Sequence, residues 1–152
     1  MKISPVVAWL IRVVGLAVFA VAFLLPALGL DPHDDHPLMG WKCASIALSM
    51  PFSKEAGFNL DVILVSLSGW LNFFVLLYLV LCLFKRLKVV RWVFVGLCAV
   101  SMISTWAFFG RQHYTPLMGH FLWIAGAVTV ILPEFFGSKQ QEKTVEPLAK
   151  FR

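Results

Sequence analysis

The sequence has few charged residues. Asp, Glu, Lys and Arg make up 14% of its 152 residues, whereas soluble domains carry roughly 25%. Hydrophobic residues make up 60%, and they fall in long uninterrupted runs where soluble helices show half-apolar stripes. This composition excludes an ordinary soluble domain and predicts a membrane protein.

The sequence also lacks the local motifs of common enzyme classes. It contains no GxSxG nucleophile elbow, no phosphate-binding glycine loop, no HExxH zinc motif and no paired intramembrane aspartates. Its three cysteines, Cys43, Cys82 and Cys98, form no CxxC. No disulfide is therefore expected, which argues against a four-helix quinone-linked thiol oxidase. These absences make an enzyme the less favoured interpretation.

Four apolar runs are each long enough to cross a hydrocarbon layer. They lie at 6–30, 62–84, 89–109 and 117–136. Within lipid every backbone amide needs a partner inside its own segment, so each run is predicted to be a helix. The predicted fold is an all-α, integral membrane four-helix bundle over residues 1–137, followed by a polar cytoplasmic tail at 138–152.

The basic residues give the predicted orientation. They lie beside helix ends, and most fall on one side if the helices alternate: Lys2, Lys85, Arg86, Lys88, Arg91, Lys139, Lys143, Lys150 and Arg152. The other side holds only Lys42, Lys54 and Arg111. Because Lys and Arg are retained in the cytoplasm, both termini are predicted inside and the loop 31–61, of about thirty residues, outside. A net charge of +5 placed in this way indicates topology, and no nucleic-acid partner is expected.

Two segments allow a second interpretation. Lys2 and the first apolar run fit a secretory signal peptide cleaved near Ala27 to Gly29, but the length of the run and Arg12 within it favour a retained helix. In the outer loop, residues 41–50 mix apolar and small side chains over too short a stretch to span. We expect this stretch to lie in the membrane interface or to fold back over the outer mouth of the bundle.

All four histidines fall on the predicted outer side. They are His33, His36, His113 and His120. Acidic residues around position 33 add carboxylates, so a zinc or copper site or a group titrating near neutral pH is one interpretation. The alternative is a solvated polar loop, with His120 hydrogen-bonded to nearby backbone at the start of the fourth helix.

Polar residues recur along the second and third helices. Asp61, Ser68 and Asn72 are spaced by seven and four, which places them on one helical stripe. Such residues commonly allow helices to approach and to form hydrogen bonds within lipid. Each such contact stabilises the helix pair by about 0.6 kcal/mol. The functional alternative is a polar groove open to the outer side and lined by Ser68, Asn72, Ser104 and His120, which would receive a small ligand or a partner's side chain.

Two ionisable residues lie inside the predicted spans near the cytoplasmic face, Arg12 in the first helix and Glu134 in the fourth. An unpaired charge costs roughly 2.5 to 3.5 kcal/mol at the centre of a spanning helix and less toward its ends. One interpretation is that Arg12 snorkels and Glu134 ends its helix. The other is a structural ion pair between them that joins the two helices.

Several segments resemble a group of small uncharacterised bacterial four-helix inner-membrane proteins. The likeness lies in Met39-Gly40-Trp41, Ser68-Gly69-Trp70-Leu71-Asn72, the basic turn after the second helix and the stretch from Gly119 to Trp123. It covers about two-thirds of the chain and implies a fold and a bacterial inner-membrane location, but no activity and no functional residue.

Three hypotheses about function follow. The first is a non-enzymatic accessory protein that binds a membrane partner or a toxin through the outer loop and groove, as an immunity protein does. The second is a metal- or haem-binding redox or transport component that uses the outer histidines. The third is a hydrolase or lipid-modifying enzyme with His120 beside Asp61 or Asp35. The lipid bilayer is a partner in all three, and the sequence identifies no cofactor.

Overall fold

The computed structural model describes residues 3–29, 37–52, 59–84 and 86–137, which form mainly helices. The helices are α1 Pro5–Ala22, α2 Gly40–Ser49, α3 Leu60–Leu81, α4 Lys88–Gln112, α5 Met118–Ile131 and α6 Pro133–Gly137. The strands are β1 Pro26–Gly29, β2 Leu38–Met39 and β3 Thr115–Pro116, and a 3-10 turn at Met50–Phe52 follows α2.

Four helical segments are long and apolar enough to cross a membrane, namely α1, α3, α4 and the continuous stretch formed by α5 and α6. The prediction of a predominantly helical bundle with four such segments is thus confirmed. Three of them lie within a few residues of the predicted runs 62–84, 89–109 and 117–136. Pro133 opens α6 after a turn at Leu132, where its missing N–H requires no partner.

The first helix is shorter than the predicted 6–30, and the fold is not entirely α-helical. It begins after Ser4, whose side chain accepts from the Val7 amide, and it ends at Ala22. The chain then turns, and the Gly40 and Trp41 amides at the start of α2 donate to the carbonyls of Leu25 and Phe23 at 2.9 and 3.0 Å. Carbonyls that a longer helix would have satisfied internally are satisfied here by another element.

A small antiparallel sheet closes the end of the bundle where α1 finishes. Its strand order is β2-β1-β3. Leu28 of β1 lies opposite Leu38 on one side and Pro116 on the other. We call this the sheet end, and we call the opposite end, where α3 finishes and α4 begins, the basic end. The sequence did not predict these strands, because each is only two to four residues long.

The bundle consists of two closely packed antiparallel helix pairs, α1 with α5 and α3 with α4. Glycines allow the first pair to approach. A Cβ on Gly15 would lie 2.8 Å from the Val130 nitrogen, and one on Gly126 would lie 2.5 Å from the Phe19 nitrogen. The backbones of α1 and α5 are therefore in direct contact at these two positions, as small residues permit between apolar helices.

The two pairs share a core in the middle of the bundle. It consists of Phe19, Leu71, Val75, Tyr78, Val95, Cys98, Ala127, Val130 and Ile131. Many large apolar side chains point outward instead; Val6, Leu10 and Ile103 are among the most exposed. An apolar outer surface of this kind suits a lipid environment and would be unusual in a monomeric soluble protein.

Helix α2 folds back over the sheet end, one of the two placements that the sequence allowed for residues 41–50. It packs against α3, where a Cβ on Gly69 would lie 2.9 Å from the Ala47 Cβ. This contact makes α2 a wall of the bundle's sheet end, and it forms one side of the site described below.

Candidate functional site

A cavity of about 230 Å³ lies at the sheet end, between the two helix pairs and beneath α2. Its walls are mostly apolar, and residues from α1, β1, α2, α3, α4 and α5 contribute to them. The polar side chains in the lining are few: Cys43, Ser68, Asn72, Thr105, Tyr114, His120 and Trp123. A concave, largely apolar site with a small number of polar groups is typical of sites for small apolar or amphipathic ligands.

Three of the four residues predicted to line a polar groove come together at this cavity: Ser68, Asn72 and His120. Ser104 is not among the described lining residues, and its hydroxyl donates to the Val100 carbonyl of its own helix at 2.9 Å. Its neighbour Thr105 takes that place and donates to the Ser68 hydroxyl at 2.8 Å. Adjacent helical residues differ by about 100° in direction, which separates the two side chains.

Asn72 is held by hydrogen bonds on both atoms of its amide. Its oxygen accepts from the Trp123 indole N–H at 2.9 Å, and its nitrogen donates to the Gly69 carbonyl at 3.1 Å. The first bond joins α3 to α5. Trp123 was not among the residues predicted for this site, although a buried indole N–H usually needs an acceptor.

His120 is a polar residue of the cavity with an unsatisfied buried atom. The residue is only 4% exposed, and its Nε2 has no hydrogen-bond partner within the described part of the chain. Aromatic rings surround the imidazole, with centroid distances of 4.7 Å to Phe109, 5.5 Å to Trp106 and 5.7 Å to Trp123. An unsatisfied buried polar group costs about 1–3 kcal/mol, so a ligand that pairs with this imidazole would recover that free energy.

Cys43 of α2 also lines the cavity. Its thiol lies 3.9 Å from the Leu38 carbonyl, to which it donates a weak hydrogen bond. Burial raises the pKa of the Cys43 thiol above that of an ordinary thiol. The side chain is therefore a neutral thiol at physiological pH and a poor nucleophile.

The structure gives the hydrolase hypothesis no described acid next to His120. Asp61 accepts from Arg111 at 2.7 Å and from Gln112 at 2.9 Å, at the junction of α3 with the end of α4. Asp61 is not among the described residues lining the cavity. Asp35, the other proposed partner, lies outside the described residues.

The four-histidine metal site stays a prediction. His33 and His36 lie outside the described residues, His113 is exposed at the left-handed end of α4 with a φ of 55°, and His120 lies at the cavity. Within the described ranges no group of three or more His, Cys, Asp or Glu side chains is close enough to hold a metal ion.

Arg12 and Glu134 meet near the basic end in a larger cluster. Arg12 Nη2 lies 3.6 Å from Glu134 Oε2. Tyr78 donates to the same oxygen at 3.3 Å, and Arg91 donates to Oε1 at 3.2 Å. The sequence indicated Arg12 and Glu134 but not Arg91 and Tyr78. Arg91 was interpreted as a topology signal, and Tyr78 lies in an apolar run. We call these four residues the arginine cluster.

Comparisons with protein-family profiles, with curated proteins and with solved structures found no match to this chain.

Proposed function

We propose that this chain is a multi-pass protein of the bacterial cytoplasmic membrane, with both termini and the basic end in the cytoplasm and the sheet end outside. Four helices of sufficient length and apolarity support insertion, as do the large apolar side chains on the outer faces. The excess of Lys and Arg at the basic end supports the orientation.

We further propose that the protein is a non-enzymatic binding protein that receives an apolar group of a membrane partner, such as a toxin or another membrane protein, in the cavity at the sheet end. The observation that carries this proposal is the buried Nε2 of His120, which has no hydrogen-bond partner among the described residues and lies at a mostly apolar cavity. The partner group would be largely apolar and would carry one hydrogen-bonding atom for His120.

Cavity size restricts the occupant. A cavity of about 150 Å³ lined by apolar side chains accepts benzene, so 230 Å³ has room for a substituted aromatic ring or a short branched aliphatic group. A porphyrin is much larger than that. Size therefore favours a side chain or similar group over haem at this site.

The test is crosslinking from the cavity wall in living cells. A photoreactive amino acid replaces Ile46, which lines the cavity from α2. Adducts are purified, and the attachment point on the captured molecule is mapped by mass spectrometry. We expect one dominant adduct, attached through an apolar or aromatic group of a defined partner.

Two variants make the test specific. Ala44→Phe fills the cavity from α2, whereas Ser45→Phe adds the same ring on the exposed side of the same helix. We expect Ala44→Phe to abolish the dominant adduct and Ser45→Phe to retain it. If both variants give the adducts of the unmodified chain, or if bulk phospholipid is the sole product, the proposed binding role is wrong.

A further inference from the structure

The arginine cluster carries more positive than negative charge. Two guanidinium groups, Arg12 and Arg91, face the single carboxylate of Glu134, and Tyr78 contributes a neutral hydroxyl. The side chains of Arg12, Arg91 and Glu134 are 11%, 15% and 7% exposed. Within the described part of the chain, one positive charge of the cluster therefore has no carboxylate partner in a poorly hydrated place, which is costly unless an anion lies beside it. The Arg12 guanidinium also lies 5.6 Å from the Trp9 ring centroid and 6.0 Å from that of Tyr78, but these rings supply no net charge.

The cluster also has too few hydrogen-bond acceptors. Each guanidinium has several N–H donors, and the described acceptors are the two Glu134 oxygens, the Tyr78 hydroxyl and the Phe84 carbonyl. Arg12 Nε is buried and has no partner among the described residues. Among the described residues, the excess of positive charge and the unpaired Arg12 N–H donor occur at the same point, and this combination suits an anion with several oxygens.

The location of the cluster is within reach of lipid headgroups. Arg91 lies three residues into α4 and Tyr78 three residues before the end of α3, or about 5 Å from the helix ends. Arg12 is roughly 10 Å from the start of α1 by the same rise, and a long Arg side chain can extend toward the interface. Leu87, at the N-cap of α4, makes no side-chain hydrogen bond to the first amides of that helix, and the positive end of the helix dipole lies beside the cluster.

We infer that the arginine cluster binds the phosphate of an anionic phospholipid headgroup at the basic end. A phosphodiester supplies the negative charge and the acceptor oxygens that the cluster lacks, and arginine is well suited to bind phosphate. Trp92 packs edge-on against Phe135 at 5.1 Å at the same end, and aromatic side chains favour this depth of the membrane. The lipid tails would lie along the apolar outer faces of the helices.

Native mass spectrometry of the purified full-length chain tests this inference. The protein is released from detergent with equal amounts of phosphatidylglycerol and phosphatidylethanolamine, and the retained lipid is counted. Since a basic residue at a membrane surface adds about fivefold to the affinity for anionic lipid, we expect at least that preference for phosphatidylglycerol. Arg91→Gln should reduce the preference to near unity. Arg111→Gln removes an exposed cation at the sheet end and should leave it unchanged.

Two further arms identify the anion. Inorganic phosphate at millimolar concentration should not displace phosphatidylglycerol, since it lacks the tails; full displacement would assign the site to free phosphate and overturn the lipid proposal. The pair Glu142→Gln and Glu146→Gln removes the carboxylates of the tail at 138–152 and should have no effect. If lipid preference appears only in that pair, the tail supplies the anion and the inference is wrong.

A mapping experiment keeps the inference testable if Arg91→Gln fails to fold. Phosphatidylglycerol with a photoreactive group near its headgroup is added to the unmodified protein in vesicles. We expect labelled peptides from the end of α3 and the start of α4. Equal labelling at the sheet end would contradict a specific site.

Discussion

At the scale of single residues, His120 combines two properties that conflict in a purely structural residue. It is buried among aromatic rings, and its Nε2 has no described partner. If this position served packing alone, an aromatic hydrocarbon side chain of similar size would give a more stable protein. The imidazole therefore reduces stability unless something pairs with it.

We expect His120→Phe to keep or raise thermal stability and to abolish the crosslinked adduct. Phenylalanine fills a similar volume and removes the unsatisfied atom, which costs about 1–3 kcal/mol. Thermal unfolding in detergent measures the first effect, and the crosslinking yield from Ile46 measures the second.

The matched control is His120→Ala, which removes the ring without filling its space. We expect it to lose stability by about 2–4 kcal/mol, as other large-to-small substitutions of buried rings do. If His120→Phe instead unfolds at a temperature as low as His120→Ala, the imidazole nitrogens hold the fold together and the argument for a ligand loses its basis.

Glu134 is the one carboxylate of the arginine cluster and is poorly hydrated. Its charge should therefore contribute more to the stability of the protein than the charge of an exposed acid. We expect Glu134→Gln to destabilise the protein by about 3–5 kcal/mol, because it removes the carboxylate that pairs with two poorly hydrated guanidinium groups. Chemical denaturation in mixed micelles measures the loss.

Asp61 provides the comparison. It also pairs with an arginine, but Arg111 is 52% exposed and Asp61 32%. We expect Asp61→Asn to cost less than about 1 kcal/mol because solvent screens the pair. Equal losses from the two substitutions would show that burial does not set the strength of the Glu134 contacts.

At this scale the sequence supplies helical spacing. Ser68 and Asn72 are four apart, and both reach the cavity together with His120. It could not choose between Ser104 and Thr105, since that depends on the rotation of α4 about its axis. It also could not place Arg91 beside Glu134, because that contact requires the relative heights of α4 and α6.

At the scale of helices, α1 and α5 are in close backbone contact. A Cβ on Gly126 would meet the backbone of Phe19 at 2.5 and 2.7 Å, and backbone cannot move aside as a flexible side chain does. We expect Gly126→Ala to lower stability by about 1–3 kcal/mol, in line with overpacked cores, by pushing the two helices apart. Thermal unfolding in detergent is the measurement.

Gly96 is the matched glycine, since a Cβ there would meet nothing within 4 Å. We expect Gly96→Ala to be neutral or stabilising by up to about 1 kcal/mol, because alanine has the higher helix propensity. If Gly96→Ala costs as much as Gly126→Ala, the helix itself and not the α1–α5 contact requires glycine.

The elements show which physical signals a sequence contains. Lengths of apolar runs located four helical segments, because lipid requires a fixed length of apolar chain. The first helix was predicted to extend to residue 30, because residues 23–30 are as apolar as the helix before them. Pro26 cannot donate to the Ala22 carbonyl and so disfavours a continued helix. The first amides of α2 then satisfy the Phe23 and Leu25 carbonyls, and this contact between distant segments leaves no local signal.

At the scale of the whole molecule, the proposed orientation places the three cysteines differently. Cys43 lies at the sheet end, Cys98 is buried in the core and Cys82 lies at the basic end. We expect a membrane-impermeant maleimide added to intact cells to label only Cys43. A cysteine introduced by Arg86→Cys should react only after the membrane is opened. Labelling of that position in intact cells would reverse the orientation.

The pH dependence of this labelling reports on the cavity. The thiolate is the reactive form, and burial raises the pKa of Cys43 above that of an ordinary thiol. Its labelling rate should therefore be slow at pH 7 and should still be rising with pH where the rate of an ordinary thiol levels off. Ser45→Cys in a Cys43→Ser background gives an exposed thiol on the same helix, which should react faster and level off earlier. If the two thiols show the same rate and profile, α2 does not cover the sheet end, and the cavity that its wall encloses does not exist in the membrane.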